Sequence, residues 1–168
     1  MKVLHVALAG NPNAGKSTIF NALTGSRQHV GNWPGKTVEK KEGKFKHGDY
    51  EIEVVDLPGT YSLTAFSPEE VIARDYILNE NPDIVVTVVD AANLERNLYL
   101  TVQVLELGVP VIVALNMSDV ADARGFRIDQ DMLSQGLQSP VVSTTANKGE
   151  GIDNLVGAMI SLAKEKNA

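Results

Sequence analysis

The sequence predicts an α/β fold in which a mostly parallel six-stranded sheet has one antiparallel edge strand and helices on both faces. Apolar runs and helical patterns alternate along the chain, as they do in repeated strand–helix–strand units. Three runs are almost continuously apolar, which is typical of central strands buried on both faces: residues 3–9, 84–89 and 109–115. Residues 51–55 instead alternate between charged and apolar side chains, and a Gly48-Asp49 turn signal precedes them. We therefore expect an antiparallel pair at one edge of the sheet.

Five helices are expected between these strands. Ser67, Pro68 and Glu70 form a start signal, because serine caps a helix, proline suits its first turn and the glutamate completes a capping box. In the last helix, apolar side chains recur at helical spacing and are expected to face the core: Ile152, Leu155, Val156, Met159 and Leu162. The predicted helical ranges are 16–24, 68–79, 94–107, 129–136 and 150–165.

Length and composition narrow the class of protein. A chain of 168 residues is long enough to bury a core as one domain without disulfide or metal support. The net charge of −6 argues against a broad nucleic-acid surface, which would carry clustered lysine and arginine. The absence of cysteine fits a reducing compartment, and no apolar stretch approaches the ~20 residues that span a bilayer. We expect a soluble protein with no nucleic-acid partner.

A phosphate-binding pattern follows the first predicted strand. Residues 10–17 read G-N-P-N-A-G-K-S and match G-x-x-x-x-G-K-[ST] between a strand and a helix. Backbone N–H groups of such a loop, together with the positive end of the helix, bind the phosphates of a nucleotide. Lys16 is expected to reach the β- and γ-phosphates, and Ser17 to bind Mg²⁺. The expected nucleotide contacts are Gly10, Asn11, Pro12, Asn13, Ala14, Gly15, Lys16, Ser17 and Thr18.

A second candidate element is D-L-P-G at residues 56–59, directly after the strand at 51–55. Ligands of open α/β sheets bind beyond the carboxyl ends of the strands, so Asp56 is expected to face the phosphate loop. Its carboxylate can hold Mg²⁺ through a water molecule. The Gly59 N–H is expected to reach the γ-phosphate.

A third element follows another apolar strand. Residues 116–119 read N-M-S-D and resemble the N-K-x-D box with which small GTPases read guanine. Asp119 can accept hydrogen bonds from N1–H and the exocyclic amine together, a donor pair that only guanine presents. Asn116 is expected to tie this loop to the phosphate loop, and Met117, in place of the usual lysine, to pack on the base. Further along, a looser match to the backbone contact with the base oxygen is formed by Thr145, Ala146 and Asn147.

Thr37 lies between the phosphate loop and Asp56, where P-loop GTPases have their first switch. These proteins need a threonine there, whose hydroxyl binds Mg²⁺ and whose N–H meets the γ-phosphate, so that the loop is ordered around a triphosphate. The surrounding sequence G-N-W-P-G-K-T-V-E is similar to the cytosolic G domain of the FeoB family of ferrous iron transporters. The resemblance runs from about residue 3 to residue 165 and includes residues 10–13, 56–62, 73–76 and 94–100.

This resemblance implies a P-loop GTPase fold and a regulatory domain that binds GTP or GDP with Mg²⁺, hydrolyses GTP and changes conformation between the two states. It also implies that residues 1–168 form one G domain at the N-terminus of a longer membrane protein, on the cytoplasmic side of the membrane. The expected partners are guanine nucleotide and the helical and membrane domains of the parent transporter. A nucleotide-dependent oligomer is left open.

Catalysis is expected to depart from the Ras-like pattern, because Thr60 stands where a glutamine usually orients the attacking water. Intrinsic hydrolysis should therefore be slow. Related GTPases with asparagine at the position of Asn13 use it to bind K⁺ between the phosphates, so K⁺ is an expected cofactor. The expected catalytic residues are Lys16, Asn13, Thr37 and Gly59, and the expected metal-binding residues are Ser17, Thr37, Asp56 and Asn13.

Two other interpretations stay open at this point. The chain could be a free-standing GTPase of tRNA modification or ribosome assembly, a class that shares Asn13. It could also be a nucleotide sensor with negligible turnover, because the glutamine is missing. An iron site is not predicted, since cysteine is absent and the three histidines lie far apart in sequence: His5, His29 and His47.

Overall fold

A seven-stranded sheet lies at the centre of the computed structural model, which describes residues 1–166. The strands are β1 Lys2–Gly10, β2 Gln28–Asn32, β3 Glu39–His47, β4 Tyr50–Asp56, β5 Ile84–Asp90, β6 Val111–Asn116 and β7 Val141–Ser143. Their order is β2-β3-β4-β1-β5-β6-β7, and β3 runs antiparallel to the other six. The predicted α/β fold with a mostly parallel sheet is confirmed.

The predicted count of six strands was wrong by one, because β2 adds an edge strand in the segment between the phosphate loop and Thr37. β2 pairs with β3 from Gln28↔Gly43 to Asn32↔Glu39. Its side chains are mostly exposed and show no apolar alternation, so a ladder of backbone hydrogen bonds holds it in place rather than burial. The antiparallel strand β3 is consequently second from the edge and not the edge strand itself.

Helices flank the sheet at each of the five predicted places, and one further helix was missed. The described helices are α1 Lys16–Thr24, α2 Pro68–Glu80, α3 Leu94–Glu106, α4 Ser118–Ala123, α5 Gln130–Leu137 and α6 Ile152–Lys166. The missed helix is α4, whose six residues are too few for helical periodicity to show. The predicted Ser67 cap of α2 is present, since Glu70 N donates to Ser67 Oγ at 3.2 Å. The capping box is not completed, because the Glu70 carboxylate accepts from Ser62 and Thr64 instead.

Apolar layers cover both faces of the sheet. One layer contains α1 and α6, which contribute the fully buried Phe20 and Leu155. The opposite layer contains α2 and α3, which contribute the buried Ile77 and Leu100. Among the helices of residues 1–166, none is both long and apolar enough to cross a membrane.

The carboxyl ends of the parallel strands meet at one edge of the sheet. In the strand register, Asp56 at the end of β4 lies beside Leu8 of β1, and Asn116 at the end of β6 lies beside Asp90 of β5. The loops that follow β1, β4 and β6 are those that carry the three predicted motifs. The topology therefore brings these motifs together, although up to 102 residues separate them in the chain.

Candidate nucleotide-binding site

The loop between β1 and α1 leaves the N-terminus of α1 open. Asn13 and Gly15 have left-handed backbone conformations, with φ of 71° and 91°. No side chain caps the helix at Gly15. A Cβ atom at Gly15 would overlap the Asn116 amide, so both the positive φ and the lack of space require glycine. The free N–H groups of this helix end form a site suited to an anion.

Lys16 and Asp56 form a hydrogen-bonded ion pair at the base of this loop. Their side chains are only 9% and 8% exposed. Burial raises the pKa of Asp56 above its ordinary value, and the Lys16 ammonium beside it opposes that rise. Because both charges are buried, each needs a partner of opposite sign. Lys16 can exchange the carboxylate for a phosphate, and Asp56 can exchange the ammonium for a hydrated cation.

The turn after β4 packs directly against the phosphate loop. Leu57 N donates to Leu8 O at 3.0 Å, and Thr60 N donates to Gly10 O at 3.0 Å. A Cβ atom at Gly59 would lie 3.3 Å from Pro12 Cα, so a larger residue would press on the loop. Glycine at this position allows this close approach of the turn to the phosphate loop, and the contact of the Gly59 N–H with a γ-phosphate stays a prediction.

Asn116 joins three loops through its buried side chain, which is 3% exposed. Its Nδ2 donates to Ala14 O at 3.0 Å, which is the expected tie to the phosphate loop. Its Oδ1 accepts from Thr144 Oγ1 at 3.0 Å and from Ala146 N at 3.1 Å. Thr144 was missed by the sequence analysis, which began the corresponding motif at Thr145. Its position directly after β7 was the only available signal.

Asp119 and Met117 lie beside this junction, on the first turn of α4 and directly before it. Met117 has φ of 59°, and its Cε lies 3.6 Å from the position that a Cβ atom on Gly15 would take. The Asp119 carboxylate is partly exposed, and Lys148 Nζ lies 3.3 Å from its Oδ2. No motif pointed to Lys148. The remaining predicted base contacts directly precede Lys148 in the chain. Thr145 and Ala146 are buried, and Asn147 is exposed.

Thr37 is exposed, and among the residues that the structure describes it has no hydrogen bond to the phosphate loop. It lies in a tight turn in which Trp33 N donates to Val38 O and Lys36 N donates to Trp33 O, both at 2.9 Å. Trp33 anchors this turn to α2: it is 7% exposed, and its ring meets that of Tyr76 edge-on at a centroid distance of 5.7 Å. The role of Thr37 as a Mg²⁺ ligand therefore stays a prediction.

His5 lies on β1, next to an acidic side chain of β4. His5 Nδ1 lies 3.1 Å from Glu53 Oε2, a cross-strand neighbour on β4. Within residues 1–166, histidine and acidic side chains form no group of three or more that could hold a metal ion.

Comparison with known proteins assigns the chain to a family. The profile of the family described as Ferrous iron transport protein B matches residues 4–159. The chain belongs to the FeoB family. The Fe(2+) transporter FeoB of Escherichia coli (strain K12) is 56% identical over 159 residues, which make up 92% of this chain and 21% of that protein. The chain thus spans about a fifth of the length of the curated FeoB relatives it matches.

Solved FeoB structures share the fold. The FeoB G-domain from Methanococcus jannaschii is 51% identical, with a TM-score of 0.87 over 98% of this chain and 99% of that one. The cytosolic domain of T. maritima FeoB in GDP form II is 46% identical, with a TM-score of 0.95, and the match covers 99% of this chain and 65% of that one. The GMPPNP form of that domain is 48% identical, with a TM-score of 0.91, and the match covers 94% of this chain and 63% of that one. The predicted P-loop GTPase fold is that of FeoB G domains.

Proposed function

We propose that this domain binds GTP and GDP with Mg²⁺, hydrolyses GTP slowly, and acts as a regulatory switch of a ferrous iron transporter. The observation that carries the proposal is the Asn116 side chain, which hydrogen-bonds both the phosphate loop at Ala14 and the base loop at Ala146. One buried amide thus holds the phosphate end and the base end of a nucleotide site in a fixed relation. Relatives solved in GDP and GMPPNP forms support guanine nucleotide as the ligand.

The phosphate end is assigned to the loop N–H groups, to Lys16 and to the turn at Gly59. Lys16 binds the β- and γ-phosphates, and the Gly59 N–H donates to the γ-phosphate. Ser17 and Thr37 supply hydroxyl ligands for Mg²⁺, and Asp56 holds it through water; the ion offsets negative charge on the phosphate oxygens. A carboxylate together with two hydroxyls is an oxygen donor set that suits Mg²⁺, and Thr37 has to move toward the phosphate loop to complete it.

The base end is assigned to Asp119, which accepts from the two guanine donors. Met117 packs against the base, and the segment at 145–147 supplies the backbone contact to the base oxygen. The full site, beyond the residues just named, comprises Gly10, Asn11, Pro12, Asn13, Ala14, Gly15, Thr18, Asn116, Thr145, Ala146 and Asn147.

The relatives also indicate the setting. They are about five times longer than this chain and are named Fe(2+) transporters, and two solved relatives are named cytosolic domains of FeoB. We therefore assign the domain to the cytoplasmic side of such a protein, with its remaining domains as partners. FeoB family membership argues against the free-standing tRNA-modification or ribosome-assembly GTPase. A sensor with negligible turnover is the second candidate function, because Thr60, buried at 4% exposure, replaces the usual glutamine.

Conformational switching is testable through Trp33, the one tryptophan in the chain. Moving Thr37 toward Mg²⁺ should disturb the Trp33–Tyr76 contact four residues away, so tryptophan emission should differ between GDP and a non-hydrolysable GTP analogue. Thr37→Ala should remove most of the difference and leave GDP affinity almost unchanged, whereas Thr37→Ser, which keeps the hydroxyl, should preserve it. Identical emission in both nucleotides would mean that Trp33 stays packed on α2 and that this switch does not operate.

Potassium should raise the GTPase rate at least about tenfold over sodium, which corresponds to roughly 1.4 kcal/mol of barrier. Asn13 is exposed at the turn of the phosphate loop and offers a neutral oxygen ligand, and backbone carbonyls of residues 31–33 complete the proposed set. In the structure, residues 31–32 belong to β2 and the Trp33 carbonyl accepts from Lys36, so this segment must rearrange to contribute.

Steady-state hydrolysis in potassium and sodium chloride measures this effect. Asn13→Ala should abolish the stimulation without preventing GDP binding, because Lys16 and the loop N–H groups remain. Thr60→Ala should change the rate little. Equal rates in the two salts would refute the role of Asn13, and a large loss in Thr60→Ala would transfer the catalytic role to that hydroxyl.

A further inference from the structure

The carboxylate assigned to guanine has a cationic neighbour from a different loop. Lys148 Nζ lies 3.3 Å from Asp119 Oδ2, and the two side chains are 57% and 33% exposed. Asp119 belongs to α4, after β6, whereas Lys148 ends the short 3₁₀ turn Ala146–Lys148, after β7. The pair therefore links the two loops that would enclose the base.

The backbone around Lys148 is well anchored. Lys148 N donates to Thr145 O at 3.0 Å, and Thr145 N and Glu150 O form a second bond at 3.0 Å that closes the loop. Ala146 N donates to Asn116 Oδ1 at 3.1 Å, so the same amide that holds the phosphate loop also fixes this turn. Lys148 thus starts from a defined place next to Asp119.

The chemistry of the carboxylate leaves room for Lys148 and the base together. An ionised carboxylate has about four acceptor positions on its two oxygens, and guanine uses two of them. Lys148 at Oδ2 therefore does not have to leave when the base binds. A cation on one oxygen restricts rotation of the carboxylate, so its plane is set before the base arrives. Met117 carries no charge, so the loop of Asp119 supplies no such cation itself.

We propose that Lys148 is a positioning residue for guanine recognition, which orients the Asp119 carboxylate so that both of its oxygens accept from the base. The proposal rests on the proposed function, in which Asp119 reads guanine. Without Lys148 the carboxylate can rotate and still accept from a single donor. The second contact, which distinguishes guanine from a base without the exocyclic amine, is the one that is weakened.

Lys148→Ala tests this in the 168-residue chain by competition binding of GDP and of inosine diphosphate, which keeps N1–H and lacks the exocyclic amine. GDP affinity should fall about fivefold, near 1 kcal/mol and within the range of exposed ion pairs. Inosine diphosphate affinity should fall less than about twofold, because it uses one donor. Lys148→Arg should retain both affinities, and added salt should shrink the difference between native chain and variant.

Lys164→Ala is the matched control, since it removes an exposed lysine of α6 with the same change in net charge and should leave both affinities unaltered. Asp119→Asn in the same assay distinguishes a failure of guanine recognition by Asp119 from a failure of the positioning role of Lys148. If it leaves GDP affinity intact, Asp119 does not read guanine and the proposed function fails at the base. If it weakens GDP but Lys148→Ala lowers both nucleotides equally, changes neither, or tightens GDP, the positioning role of Lys148 is wrong.

Discussion

Asp119→Asn should weaken GTP binding by roughly 2–4 kcal/mol and make the site prefer xanthine nucleotides. That loss corresponds to roughly 30- to 700-fold in the dissociation constant. The carboxylate accepts from two guanine donors, whereas an asparagine amide presents one acceptor and one donor, which faces the exocyclic amine unfavourably. Xanthine has a carbonyl in place of that amine and complements the amide. Equilibrium binding of fluorescent guanosine and xanthosine nucleotides measures both changes.

Asp122→Asn is a suitable control for this substitution. It makes the same chemical change one turn further along α4, at an exposed side chain. It should leave GTP affinity within about twofold of the native value, since a surface substitution without contacts has little effect. A native-like GTP affinity in Asp119→Asn itself would show that residues 116–119 do not read the base.

Asn116→Ala should lower the free energy of unfolding by about 3 kcal/mol, because three hydrogen bonds end at this one side chain. The groups left without a partner belong to Ala14, Thr144 and Ala146, which are 1%, 2% and 6% exposed, so water cannot readily replace the amide. GDP and inosine diphosphate affinities should fall together, because the loops are displaced rather than one base contact removed. Denaturant titration and nucleotide binding measure the two effects.

Asn97→Ala separates stability from binding. Asn97 is also a buried asparagine, at 6% exposure, and its amide accepts from Asp90 N at 3.2 Å and donates to Asn93 O at 2.9 Å. Its loss should lower stability while GDP affinity stays near that of the native chain. An Asn116→Ala variant as stable as the native chain, or one that binds GDP equally well, would rule out Asn116 as the junction of the site.

The motif-bearing loops were predictable because particular positions in each loop require a particular residue type. Gly15 adopts a positive φ next to the Asn116 amide, and Gly59 allows a close approach to Pro12, so a short pattern is enough to indicate each loop. The edge strand β2 was not predictable in this way, since Q-H-V-G-N has no apolar alternation and is held by backbone pairing with β3. Helix α4 was missed because six residues are too few for a helical periodicity to show in the sequence.

Trp33 illustrates what local sequence does not reveal. It lies in the segment between the phosphate loop and Thr37, and the structure buries it against Tyr76 of α2, with Lys40 Nζ 4.8 Å from the ring centroid. Burial raises the pKa of Tyr76 to about 12, with Glu80 and further carboxylates adding to the rise. The Tyr76 hydroxyl, which is uncharged at neutral pH even with its ordinary pKa, therefore keeps its proton to a higher pH in this contact.

The sequence alone determined the alternation of strands and helices, the phosphate loop and the residues that could contact a nucleotide, because these depend on neighbours within a few positions along the chain. The tie of Asn116 to the phosphate loop was also expected. Only the tertiary structure decided that Asn116 binds Thr144 as well, 28 positions away, and that Lys16 pairs with Asp56, 40 positions away. Such pairings arise from the order of strands in the sheet, which places distant loops at one edge, and no local pattern encodes them. Lys148 became a candidate for the same reason, since its proximity to Asp119 exists only once β6 and β7 lie side by side.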